Sequence, residues 1–269
     1  MGKISFIVPK RTEPVSITGN GCALSCAHCN GHYLEHMSDV FHIKGDGEGK
    51  GICSYLVSGG CNEEGTVPLA DNLSLLRELS NKHRIVAHTG LMGTRDAEAI
   101  APFVDSASFN LIGDDATIRK VYGLQKTVDD FMDSYRSVRE HVKTFPHITI
   151  GLHGGRIVGE YRAVDMLSEA GCDALVFNVF IPTTGTVFAS AKPPPIHEAL
   201  DVITYAKIQL KDSKIYIGCM RPGGSYRNEF DPVCVDVGVD RIVMPSRSAR
   251  KLAQEMGLDI FYKEECCVL

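Results

Sequence analysis

Residues 148–180 read Ile148-Thr-Ile-Gly-Leu-His-Gly-Gly-Arg-Ile-Val-Gly-Glu-Tyr-Arg-Ala-Val-Asp-Met-Leu-Ser-Glu-Ala-Gly-Cys-Asp-Ala-Leu-Val-Phe-Asn-Val-Phe180. An apolar run, a glycine-rich turn, a helical stretch over Arg162–Ala170 and a second apolar run follow one another. That is one strand–helix–strand unit. Both runs are almost continuously apolar rather than alternating, so both faces of each strand are buried, as in a parallel sheet covered by helices. The same unit recurs in both directions along the chain. Further strands are expected at Val15–Thr18, Ile52–Val57, Arg84–His88, Ser106–Ile112, Lys214–Gly218 and Arg241–Met244. Helices are expected over Asn72–His83, Val128–Val142, Ile196–Leu210 and Arg247–Met256. In the first of these helices Leu73, Leu76 and Leu79 form one apolar stripe. About eight such units fit an α/β fold of the (β/α)8, TIM-like barrel type better than an open sheet. One domain is expected over residues 1–269, with a core from about 10 to 257 and a C-terminal tail over 258–269. Lys44–Gly51 is rich in glycine and reads as a loop.

The chain has 269 residues, a net charge of −5 and 44% hydrophobic residues. An acidic balance argues against a general electrostatic grip on nucleic acid or on an anionic membrane surface. No stretch reaches the roughly 20 apolar residues of a membrane span. Met1–Pro9 is too short and polar for a signal peptide. Ten cysteines without a secretion signal read as metal ligands and free thiols in a reducing cytoplasm, not as a disulfide framework. Cys266-Cys267-Val268-Leu269 formally matches a prenylation box, but the rest of the chain reads as a metabolic enzyme. Two readings of this segment stand: a frayed tail, or a tail that supplies thiolates to a metal cluster.

Barrel active sites gather at the C-terminal ends of the strands, and unusual residues fall there. Chief among them is Ser16-Ile-Thr-Gly-Asn-Gly-Cys22-Ala-Leu-Ser-Cys26-Ala-His-Cys29, with the spacing C-x3-C-x2-C. Three thiolates this close grip one iron–sulfur cluster and leave one iron without a protein ligand. The alternative is zinc, completed by His28 and by His32 or His36, although this spacing is not among the usual zinc patterns. Ser58-Gly59-Gly60-Cys61 follows the second expected strand, Asn110 closes the fourth, His153 follows the fifth and Cys219-Met-Arg221 the seventh.

The cysteine spacing resembles that of the radical S-adenosylmethionine (SAM) superfamily, and other stretches extend the likeness. His28 stands where that family commonly has an aromatic residue against the SAM adenine. Ser58, Gly59 and Gly60 resemble the turn whose backbone meets the SAM methionine moiety, with Cys61 in place of its glutamate. Gly155-Arg-Ile157-Val-Gly159 resembles the adenine-binding turn; the later acid is absent and Glu160 comes two residues early. Asn110 lies where the family places a polar group on the ribose or carboxylate. Within the superfamily the chain is most similar to the biotin synthase and lipoyl synthase branch, through Pro182-Thr-Thr-Gly185-Thr186 and Gly218-Cys219-Met-Arg221. Together with Cys29-Asn-Gly-His-Tyr-Leu34 and Ser58-Gly-Gly-Cys-Asn62, these resemble an archaeal-type group of which some members act in a two-protein lipoyl synthase.

The resemblance implies a [4Fe-4S] cluster on Cys22, Cys26 and Cys29, SAM as cosubstrate, and a 5′-deoxyadenosyl radical for C–H activation. It extends to sulfur insertion in lipoyl formation, which uses a second iron–sulfur cluster; Cys61 and Cys219 are the candidate ligands. The alternatives are a single-cluster radical mutase or lyase of cofactor biosynthesis, and a non-catalytic metal-binding or redox-sensing protein. His153 and Arg221 are candidates for positioning a substrate that is either a small molecule or carried on a protein. Ferredoxin or flavodoxin is the expected electron donor, and a second radical SAM protein the expected partner if the lipoyl likeness holds.

Overall fold

The computed structural model describes residues 2–40 and 51–269, so the glycine-rich stretch Lys44–Gly51 lies outside the described residues except for Gly51. Among the described residues, eleven strands form one parallel sheet: β1 (Lys3–Ile7), β2 (Thr12–Ser16), β3 (Ser38–Asp39), β4 (Ser54–Ser58), β5 (Arg84–His88), β6 (Ser106–Asn110), β7 (Thr144–Ile150), β8 (Ala174–Val179), β9 (Lys214–Ile217), β10 (Arg241–Val243) and β11 (Asp259–Lys263). Their order across the sheet is β11-β1-β10-β9-β8-β7-β6-β5-β4-β2-β3. From β4 to β10 each strand pairs with its successor, and a helical crossover joins them, as parallel pairing requires. The crossovers carry α1 (Leu73–Ser80), α2 (Thr94–Ile100), α3 (Asp115–Thr117), α4 (Val128–His141), α5 (Glu160–Ala170), α6 (Ile196–Gln209) and α7 (Gly224–Asp236), and α8 (Arg247–Glu255) leads to β11. This is the single-domain, TIM-like architecture expected from the alternating runs.

The near-continuous apolar strands have a direct physical reading. Side chains alternate across a strand, and the two faces enter two separate apolar clusters. Ile85, Leu175, Ile217 and Ile242 pack outward against helix residues such as Leu76, Leu167 and Ile203. Their strand neighbours Val86, Val176, Tyr216 and Val243 pack on the concave face with Ile7 and Phe145. Local signals agree with this frame. Thr127 caps α4 through a capping box: its hydroxyl accepts the Asp130 N–H, and the Asp130 carboxylate accepts the Thr127 N–H at 2.7 Å.

Three strands escape a reading by periodicity. β3 has two residues, β1 lies in the polar N-terminal stretch, and β11 is exposed at four of its five positions. The structure corrects the reading of Cys266–Leu269 as a frayed tail and draws residues 258–269, expected as a tail, into the fold. β11 pairs with β1 along its whole length, from Lys3 opposite Asp259 to Ile7 opposite Lys263. Beyond it Cys267 and Val268 are buried in the concave cluster. Backbone pairing holds this stretch, which its own side-chain pattern does not reveal. Among the described residues no helix is long and apolar enough to cross a membrane.

Candidate functional site

Parallel strands send every following loop to the same edge of the sheet. The loop after β2 carries the cysteine triplet, and its own polar groups shape it. Ser16 Oγ donates to the Gly19 carbonyl at 2.6 Å, and Thr18 Oγ1 donates to the Gly21 carbonyl at 2.9 Å. The N–H groups of Cys29 and Asn30 both donate to the Cys26 carbonyl. This tight turn folds Cys29 back on Cys26. Their sulfurs and a ring nitrogen of His28 lie within 4.8 Å of one another. Cys22 stands farther out, yet its charge is felt at both Cys26 and Cys61. His32 and His36 belong to the short helical turn that follows, where His32 Nδ1 lies 3.4 Å from Glu35 Oε2.

The Cys26 and Cys29 thiols are hydrogen-bonded to each other, and their acidities move in opposite directions. Cys29 is held in the thiolate direction chiefly by the hydrogen bond from Cys26; Cys26 is pushed the opposite way by that bond and by burial. Burial, then the charges of Cys22 and Cys29, push the Cys61 thiol up to about 12. Tyr122 is raised well above the ordinary phenol range by burial, then by Cys26, Cys29 and Cys61. Cys26 and Cys29, with Cys22 near enough to act on Cys26, form a soft donor set suited to iron–sulfur ligation.

Other loops close over this one. A π-helical turn over Ile118–Tyr122 accepts the Ala27 N–H at the Val121 carbonyl and sets the Tyr122 ring edge-on to His28, centroids 5.6 Å apart. Such turns often mark functional sites. The loop after β8 donates the Phe188 N–H to the Ala27 carbonyl, and Tyr33 and Thr183 hydroxyls meet at 3.3 Å. Nothing in the spacing of the sequence announces Tyr122; only its distant placement on the triplet loop does. The Nδ1 of His28 is buried without a hydrogen-bond partner among the described residues.

The glycines singled out by sequence lie at this edge, but chain packing explains them. Ser58 ends β4, and its carbonyl accepts the Ile17 N–H. A Cβ on Gly59 would meet only the Thr18 and Ile17 side chains, whereas one on Gly60 would lie 2.5 Å from the Cα of Cys22. The Gly60 N–H donates to Thr18 Oγ1 at 2.7 Å and the Ala23 N–H to the Cys61 carbonyl at 2.8 Å. Gly155, at φ 89°, faces the Lys192 carbonyl with no space for a Cβ. A Cβ on Gly159 would come within 2.7 Å of the Asp114 nitrogen. Close approach is required at all three, by protein backbone. Ile157 packs against the outer core. Glu160 is buried at the start of α5, where its carboxylate accepts the Gly151 and Val158 N–H groups, each at 2.7 Å. It clasps the loop after β7. A narrow cavity lined by Leu111, Asp114, Thr117, Leu152, Gly159 and Glu160 runs beside it.

Asn110 ends β6 half-buried, in register with His147 of β7. His153 lies in the loop after β7 with Nδ1 2.9 Å from Thr117 Oγ1. Arg221, expected to position substrate, does not face any open space. It is 1% exposed. Its Nε and Nη2 clasp the two carboxylate oxygens of Asp231 at 2.7 and 2.8 Å, Nη1 donates to the Gly218 carbonyl, and Nη2 also reaches the Met244 carbonyl. Its donors are directed at the protein, so it is a structural clamp between the loop after β9, α7 and β10.

The spare thiols divide. Cys172 and Cys234 are buried core residues, and Cys172 donates weakly to Ser213. Cys61 stands with the triplet. Cys219 has Cys266 as its leading charged neighbour instead. The charged thiol neighbours of Cys61 are Cys22 and Cys29, whereas that of Cys219 is Cys266.

No known family profile matches the sequence, and no curated protein matches it. Solved structures do. HydG, the FeFe-hydrogenase maturase from Carboxydothermus hydrogenoformans, superposes with a TM-score of 0.65 at 14% identity, covering 90% of this chain and 58% of HydG. The fold is shared. Methylornithine synthase (PylB) gives a TM-score of 0.62 at 12% identity, covering 96% of this chain and 83% of PylB. SuiB of Streptococcus suis, solved bound to S-adenosylmethionine, gives 0.56 at 14% identity, covering 85% of this chain and 52% of SuiB. At these identities the likeness is one of fold. The chain spans little more than half the length of HydG and SuiB.

Proposed function

We propose that the protein is a radical SAM enzyme whose Cys22, Cys26 and Cys29 hold a [4Fe-4S] cluster. The observation that carries this reading is the convergence of Cys26 and Cys29, with Cys22 nearby, at the loop edge of a sheet shared with SuiB, which was crystallised with S-adenosylmethionine. When bound, the cluster supplies the electron that reductively cleaves SAM. The chain's own residues do the rest. Parallel strands fix the triplet loop, the Val121 carbonyl and the Phe188 N–H hold it at Ala27, and Ser58, Asn110 and the Gly155–Gly159 turn are the groups that would meet SAM. His28 offers its ring to the adenine. His153, tied to Thr117, is the remaining candidate for positioning substrate.

The finer reading is C–H sulfuration of a carrier-bound octanoyl chain, supported by the sequence likeness to the lipoyl synthase branch, with a second radical SAM protein as partner, ferredoxin or flavodoxin as reductant and the cytoplasm as compartment. Anaerobic reconstitution with iron and sulfide, followed by SAM and a reductant, tests the main reading. 5′-Deoxyadenosine should form, and Cys22→Ala, Cys26→Ala and Cys29→Ala should each abolish it. Product from those variants would overturn the assignment.

One observation favours a second reading. A ring nitrogen of His28 within 4.8 Å of the Cys26 and Cys29 sulfurs also suits zinc. Metal analysis separates them: a colourless, zinc-replete protein favours the non-catalytic reading, and a brown one the cluster.

A further inference from the structure

β11 is an edge of the sheet: β1 lies on one side of it, and among the described residues no strand pairs on the other. Its sequence is Asp259-Ile260-Phe261-Tyr262-Lys263. Phe261 is 51% exposed and Tyr262 61%. Met256, just before the strand, is exposed as well. An open edge with apolar side chains invites another strand, and folds commonly blunt such edges with lysines, prolines, bulges or very short strands. Here the middle three residues are apolar or aromatic, and the charges stand at the two ends with opposite sign.

We propose that β11 is a self-association surface on which a second copy of this chain adds its own β11, antiparallel, about a two-fold axis at Phe261. In that register Asp259 lies opposite the partner's Lys263, Ile260 opposite the partner's Tyr262 and Phe261 opposite the partner's Phe261. The two-fold axis repeats the first two pairs on its other side. Opposite charges, an aliphatic with an aromatic side chain, and two aromatic rings are all favourable cross-strand pairs. Parallel pairing in the same register would set aspartate on aspartate and lysine on lysine. The charges therefore select the antiparallel arrangement. Because the same patch is used on both copies, it closes as a dimer and does not run on as a fibre.

The backbone is free where this register needs it. Successive residues of a strand turn their N–H and C=O groups to opposite sides. The Asp259 N–H donates to the Gly2 carbonyl and the Lys263 carbonyl accepts the Val8 N–H, each at 2.9 Å, so Asp259, Phe261 and Lys263 are turned to β1. Ile260 and Tyr262 are turned to the open edge. They are the residues set opposite each other in the proposed pair, where they exchange both N–H···O=C bonds on each side of the axis. Phe261 then falls at a non-hydrogen-bonded pair, where facing side chains approach most closely. Tyr262 is already braced, its ring 6.0 Å from that of buried Phe6. Charge agrees at the strand end. Arg84, Lys214 and Arg241 act on Lys263 along with Glu265, so the end that receives the partner's Asp259 is cationic.

Sedimentation velocity on the full chain tests this. The wild-type protein should move from 29.3 kDa toward twice that mass as its concentration rises from micromolar to near-millimolar. A monomer throughout, with the edge left to a different chain, overturns the proposal. Asp259→Lys and Lys263→Asp each set like charges opposite one another and should raise the midpoint concentration about tenfold. The doubly changed chain, and an equimolar mixture of the two single variants, bring opposite charges together again and should restore the dimer. A dimer indifferent to the single changes, or one not recovered in the double variant and the mixture, overturns the proposal. Equal melting temperatures check that the variants fold. On the unmutated protein, amide exchange at Ile260 and Tyr262 should slow as concentration rises, and unchanged rates across that range overturn the proposal. None of these residues belongs to the Cys22–Cys29 site, so this outcome and that assignment stand apart.

Discussion

Gly60 lies directly against Cys22: a Cβ placed on it would stand 2.5 Å from the Cys22 Cα and 2.6 Å from its Cβ. The turn after β4 thereby sets the height of the triplet loop. Gly60→Ala forces these backbones apart, at a cost of about 1–3 kcal/mol for overpacking. We expect a lower melting temperature and a reconstituted iron content well below wild type. Gly59→Ala meets only side chains of Thr18 and Ile17 and should keep both near wild type. Equal iron content in the two variants would remove the packing argument.

Cys61 borders the triplet from the separate loop after β4, outside the C-x3-C-x2-C spacing, and burial, then the charges of Cys22 and Cys29, push its thiol up to about 12. The proposed function makes it a neighbour of the donor set. Cys61→Ser should therefore retain the iron and sulfide of the Cys22–Cys29 site, measured per chain after reconstitution, whereas Cys26→Ala loses it. Loss in the serine variant would make Cys61 a ligand.

Arg221 and Asp231 form a buried pair with both side chains fully enclosed, and Asp231 also accepts the Ser246 N–H at 2.8 Å. Breaking such a pair leaves one buried charge unmatched, at a cost of about 3–5 kcal/mol. Asp231→Asn and Arg221→Met should each destabilise by that order in urea denaturation. The double variant Arg221→Met with Asp231→Leu should lose less than the two single losses combined. Strict additivity would count against the clamp.

His88 and His147 sit 6.1 Å apart, ring to ring. Burial lowers the pKa of His88; burial, then the charge of His88, brings His147 down to about 3. A histidine in the unfolded chain binds its proton below about 6.5. Between those values the unfolded chain takes up more protons than the folded one, so stability is complete above about pH 6.5 and falls as pH drops. At about pH 5.5 His147 should account for a loss of about 1 kcal/mol. The urea midpoint, compared at neutral pH and at that pH, should fall less for His147→Gln than for wild type. An equal fall would exclude the ring.

The eight apolar runs were readable because a buried parallel strand must be apolar on both faces; Val86 and Ile85 illustrate the two destinations. The triplet was readable because short-range spacing alone brings Cys26 and Cys29 together. What stayed hidden depends on long-range placement. Arg221 reads as a functional cation until Asp231, ten residues on along α7, is seen to occupy it. Glycines at 60, 155 and 159 read as cradles for a ligand, yet neighbouring loops press on each. Cys61 and Cys219 look alike in sequence, each just beyond a strand, and their different neighbours depend on where the last segment runs.

β1 and β2 are joined by only Val8–Arg11, yet each pairs in a different arm of the sheet: β1 with β10 and β11, β2 with β3 and β4. The linker is not free: Val8 and Arg11 donate their N–H groups to the Lys263 and Glu264 carbonyls, and Thr12 Oγ1 accepts the Cys266 N–H. One short ribbon of chain thus ties the two arms together, and the stretch that follows β11 runs along it as a splint.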